Sequence, residues 1–183
     1  MASSGSPESL STAVGGYVLK PNSLYVAAYG GASADIAQAI FTKKGLGCDD
    51  NGSTTVTVTD DGPTSNPYVT PKPTYDISFE IPTAVPILIS ISIHNNSGVP
   101  SNATTLIQTA VLAAFNGTDG GQRARIGSQI FASRFVSGII GLGSWAQVYD
   151  VQIGVSVADQ TSVLMQIDQV PTLSASDISV AYN

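Results

Sequence analysis

Residues 75–95 read YDISFEIPTAVPILISISIHN, and this stretch decides the fold. A β-strand turns alternate side chains to opposite faces, so a period of two marks a strand with one buried face. Ile77, Phe79 and Ile81 share one such face. Ile87, Ile89, Ile91 and Ile93 share a second, with Ser90, Ser92 and His94 opposite them. Pro82 and Pro86 stand between the two runs. Proline removes a backbone donor and interrupts a hydrogen-bond ladder, so the chain is expected to leave one sheet here and enter another. The pattern builds structure and carries no chemistry of its own.

Upstream, residues 1–20 are rich in Ser, Gly and Ala without periodicity, and are expected to form a flexible arm. Residues 23–29 (SLYVAAY) predict a strand closed by Gly30 and Gly31. Ser33 is a candidate N-cap, and Ile36, Ala39 and Ile40 give a helical face that ends at Lys43, Lys44 and Gly45. Residues 45–52 (GLGCDDNG) read as a turn-rich loop. Residues 54–59 (TTVTVT) read as a strand with Val56 and Val58 inward, and the four prolines of residues 60–74 as an exposed hairpin tip.

Downstream, Ser101 is expected to cap a helix that reaches Phe115, with Leu106, Ile107, Ala110, Val111 and Ala114 inward. A second helix is expected over residues 128–140. Strands follow at residues 146–155, 163–168 and 177–182. Grouped helices and runs of strands predict an α+β chain of two small α/β sandwich domains with mixed or antiparallel sheets. Their expected boundaries are residues 21–82 and 83–183, after an arm over residues 1–20.

Composition narrows the function classes. Charged residues are 11% of 183, well under the usual quarter, so the surface is built from uncharged polar groups. Seven basic residues against thirteen acidic ones give a net charge of −6, which argues against a nucleic-acid partner. No run approaches the roughly 18 apolar residues that span a bilayer, so no membrane insertion is expected. The first residues lack the basic head and apolar core of a signal peptide, which predicts synthesis in a cytoplasm. Cys48 is the one cysteine and His94 the one histidine, which excludes an internal disulfide and argues against a zinc site. With no GxSxG motif in the chain, His94 reads as a solvated residue at the end of its strand rather than a catalytic one.

The remaining titratable groups point the same way. Asp49, Asp50, Asp60 and Asp61 lack the spacing of a calcium loop and read as solvated turn residues. No glycine-rich phosphate loop follows a strand. No catalytic residue, metal ligand or cofactor is therefore assigned. Arg123, Arg125 and Arg134 fall within twelve positions of a chain that uses charge sparingly. They read either as loop solvation with a helix-face ion pair or as an interface clamp, because arginine is enriched in contact surfaces. Trp145 joins them as a candidate interface residue, with an ordinary core position as the alternative.

Three segments in order resemble the phage baseplate J-like family, the wedge proteins of contractile tails. They are AQAIFTKKGLGCDDNGSTTVTVTDD, then YDISFEIPTAVPILISISIHNN, then LIQTAVLAAFNGTDGGQRARIGSQIFASRFVSGIIGLGSWAQVYDVQIG. Together they lie within residues 20–157. Family members carry a longer N-terminal portion, and this chain starts near their middle, so nothing is carried over from that part. The resemblance implies a non-enzymatic structural protein of a phage or prophage virion, made in the bacterial host cytoplasm. Its implied partners are other baseplate wedge proteins and copies of itself, in a ring at the tail tip. Two other classes stay open. One is a carbohydrate- or surface-binding module, which a saturable hit on a glycan array would favour. The other is an enzyme of another type, which needs a deep pocket with convergent polar groups.

Overall fold

The structure is a computed structural model that describes residues 12–14, 17–45 and 47–183. The fold is α+β, with helices set against several small mixed and antiparallel sheets. The chain divides into two compact units, Met1–Pro82 and Thr83–Asn183. Of the expected arm, residues 1–11, 15 and 16 lie outside the described residues. Within it, β1 (Thr12–Val14) and β2 (Tyr17–Leu19) pair antiparallel.

The first unit continues with β3 (Ser23–Tyr25), α1 (Ser33–Lys43), β4 (Asp49–Asn51), β5 (Thr54–Thr59) and β6 (Thr74–Phe79). β3 and β4 are parallel, joined through α1, and β5 and β6 form an antiparallel ladder with Val56 opposite Ile77. Ala37 and Ile40 of α1 bury against Val58, Ile77 and Phe79. The inward face of α1 passes through Ala37, three residues before Ile40, so Ala39 of the expected face is exposed. Ala32 is the N-cap of α1, not Ser33, and it makes no side-chain cap.

Two further expectations fail in this unit. Ile81 is 45% exposed, not inward, because β6 ends at Phe79 and the period of two stops with it. Residues 49–51, expected in a loop, are the buried strand β4: Asp50 is 5% exposed and pairs with Lys44 at 2.8 Å. Asp49, by contrast, stays exposed and pairs with Lys20 at 3.1 Å. The hydrogen bond from the Asp50 amide, followed by that from Lys20, holds the Asp49 carboxyl below its usual value.

The second unit holds β7 (Thr83–Pro86), β8 (Leu88–Ile93), α2 (Ala103–Asn116), β9 (Gln129–Phe131), α3 (Ser133–Ile140), β10 (Val148–Gly154), β11 (Ser162–Leu164), β12 (Gln169–Thr172) and β13 (Ile178–Tyr182). β8 lies between β10, antiparallel, and β13, parallel. β7 pairs parallel with β12, so the chain changes sheets between β6 and β8. Ile87, Ile89, Ile91 and Ile93 are all fully buried, with Ile107 and Val111 of α2 and Phe135 and Ile139 of α3 in the same cluster.

α2 ends where Asn116 gives way to Gly117, whose φ of 72° is the left-handed conformation that glycine adopts without a Cβ penalty. Asn102, not Ser101, is its N-cap, and its side chain makes no cap bond. The helix expected from residue 128 begins only at Ser133. The preceding turn is strand β9, whose partner β11 lies more than thirty residues downstream (Ile130 opposite Val163). The strand expected over residues 163–168 is shorter, and β12 follows it as a separate element.

Candidate functional site

The β9–β11 ladder presents two different faces. Ile130 and Val163 turn inward and join the core. Alternation then sends Gln129, Phe131, Ser162 and Leu164 outward. Phe131 is 50% exposed and Leu164 61%, and Gln129 Nε2 donates to Ser162 Oγ at 3.2 Å. Two large apolar side chains therefore share one exposed strand face.

Arg134, at the start of α3, is fixed beside this ladder. Its Nη2 donates to Asp119 Oδ1 at 2.6 Å and to the Ala114 carbonyl at 3.3 Å, and its Nε donates to the Gln122 carbonyl at 3.4 Å. It therefore satisfies a carbonyl in the last turn of α2 and ties the following loop to α3. The guanidinium, and then the Gly121 amide, hold the Asp119 carboxyl below its usual value. The same bond raises the Arg134 pKa. Gly121 makes room for the side chain: a Cβ there would stand 2.2 Å from Arg134 Nη2.

The four candidate interface residues do not form one cluster. Arg123 and Arg134 line a pocket of about 100 Å³ with Phe115, Phe131 and Phe135, too small for an ordinary small-molecule site. Arg123 and Arg125 are exposed, and among the described residues neither makes an ion pair. Trp145 lies beyond the opposite end of α3, half-buried against the core, with its carbonyl accepting from Asn96 Nδ2 at 3.1 Å. Of the four, Arg123 and Arg125 are exposed, and Arg134 and Trp145 are half-buried.

His94 is half-buried, where solvation at a strand end was expected. Its Nδ1 lies 2.6 Å from the Tyr149 hydroxyl, and the two rings meet edge to face. Tyr149 itself is 62% exposed. Cys48 makes one weak contact, Sγ to the Asp49 carbonyl at 3.5 Å. Sequence reasoning missed Phe131 and Leu164. The alternation of residues 129–131 was the available signal, and the helical spacing that follows it obscured it. No family model matches this chain, and no curated protein matches it either.

Proposed function

We propose that the chain is a structural component of a contractile phage or prophage tail baseplate, acting by protein–protein assembly of the wedge ring. The observation that carries this reading is the exposed apolar face of the β9–β11 ladder, Phe131 with Leu164. Such a face is stabilised when a neighbouring subunit covers it. Arg123 and Arg125, exposed and without ion pairs among the described residues, supply charged contacts on the loop that leads into β9. Sparse surface charge also supports the reading, since few ions need desolvation when subunits close on one another.

The partners are other wedge proteins and further copies of the chain. The test is mass spectrometry of tail particles purified from the source cells, with and without Phe131→Asp together with Leu164→Asp. The wild-type chain enters the particles and the double variant does not. Particles that lack the wild-type chain contradict the proposal.

A further inference from the structure

Strands β10 and β11 begin a ladder and do not complete it. Ile153 donates to the Gln160 carbonyl at 2.8 Å, and Gln160 returns a bond to Ile153 at 3.0 Å. In an antiparallel ladder the next exchanging pair would be Val151 with Ser162. Among the described residues that pair does not form: β10 has its ladder with β8, and β11 has its ladder with β9. Alternation fixes where the unused edges point. Ala132 donates to the Thr161 carbonyl at 2.9 Å and Met165 to the Ser128 carbonyl at 3.0 Å, so Thr161 and Met165 face β9. The peptide groups of Ser162 therefore turn the other way, and those of Val151 turn away from β8 as those of Ile153 do.

Two strand edges thus face a groove of about 400 Å³ that Val151, Ser162, Phe131, Val136, Tyr149 and Asp150 help to line. A register shift between Val148 and Asp150 marks a bulge in the β10–β8 ladder beside it. Water can satisfy the exposed peptide groups, but only another backbone offers donors and acceptors at the strand repeat.

We propose that this groove takes up an extended, basic segment of a partner protein, added as a strand to the free edge of β10. Main-chain hydrogen bonds to Val151 and Ser162 supply the register, and Phe131 and Tyr149 flank the incoming side chains. Charge selects the partner. Asp150 is the only charged residue lining the groove, and among the described residues it makes no ion pair. The carboxylate favours Lys or Arg opposite it, whereas a second copy of this chain carries a net charge of −6. Strand uptake does not depend on the baseplate reading: a chain that binds the strand but never enters tail particles retains the groove and loses the ring.

The test is NMR titration of the full chain with acetyl-Val-Lys-Val-Lys-Val-amide. The amides of Val151 and Ser162 shift saturably, and their hydrogen exchange slows. Methylating alternate amide nitrogens of the peptide weakens binding about tenfold or more, as lost hydrogen bonds require. Replacing its lysines by glutamates weakens binding, and Asp150→Lys on the protein reverses that preference. Ser162→Pro removes one donor facing the groove, and Asp150→Lys, at an exposed position, keeps the test alive if Ser162→Pro does not fold. No saturable shift at Val151 and Ser162 with millimolar peptide, or equal binding of the methylated peptide, overturns the proposal. Shifts of these amides with protein concentration alone would make the occupant a second copy and overturn it too.

Discussion

In the second unit, eighteen buried residues gather into one cluster around the isoleucines of β8. Among the described residues of the first, five do so: Ala37, Ile40, Val58, Ile77 and Phe79. The first unit also buries Asp50, Asn51 and Glu80, and each of the three has polar partners. Asp50 meets Lys44, Asn51 Nδ2 donates to the Leu24 carbonyl at 3.1 Å, and Glu80 accepts from both the amide and the hydroxyl of Ser53 at 2.9 Å. The second unit therefore derives its stability from apolar area, and the first from a small core completed by polar pairs. A buried polar pair fixes geometry, but losing one partner strands the other.

The largest expected effect separates the units. Phe79→Ala removes the biggest side chain of the small core and costs about 3–5 kcal/mol. The first unit then unfolds in urea well before the second, as residue-resolved hydrogen exchange will show. Ile91→Ala costs about 2–5 kcal/mol in the second unit, which has the larger cluster to absorb it. A single shared transition in both variants would break the distinction.

Next comes the buried pair. Lys44→Met leaves the Asp50 carboxylate without its cation and costs about 3 kcal/mol. Adding Asp50→Leu restores most of that loss in thermal melts. If Lys44→Met alone is neutral, the polar pairs do not hold the first unit.

Gly52→Ala is smaller, at about 2–3 kcal/mol. Gly52 has a φ of 145°, and a Cβ there would stand 2.1 Å from the Phe79 carbonyl carbon. The loss in denaturant midpoint falls on the first unit, because this close approach joins the start of β5 to the end of β6.

The smallest effect is acid-dependent and belongs to the second unit. Asp119 has a folded pKa below its ordinary 3.8, chiefly through Arg134. Its contribution is present above that ordinary value and fades as pH falls through the depressed one. Asp119→Asn flattens this part of the acid unfolding profile and leaves the profile above pH 5 nearly parallel to wild type, where about pH 5 is the start of carboxylate titration.

What the sequence made legible follows from the range of each signal. The isoleucine alternation of β8 and the Thr/Val alternation of β5 are local patterns, and both strands lie where the spacing puts them. β4 was not legible, because Asp49, Asp50 and Asn51 read as turn residues unless Lys44 is known to meet Asp50 in space. β9 was not legible, because its three residues acquire strand character from β11, far along the chain, while the spacing of Ile130, Phe131 and Phe135 imitates a helix. Arg134 was legible as an unusual arginine, but its partner Asp119 lies fifteen residues away across a loop. Pairings across sequence distance decide both the exposed face of β9–β11 and the groove beside β10.

The measurement closest to the functional claim is hydrogen exchange of the chain, alone and after incubation with tail particles purified from the source cells. Assembly through the β9–β11 face predicts added protection at residues 129–131 and 162–164 of the second unit. Unchanged exchange throughout the chain, with particles present in excess, would contradict it.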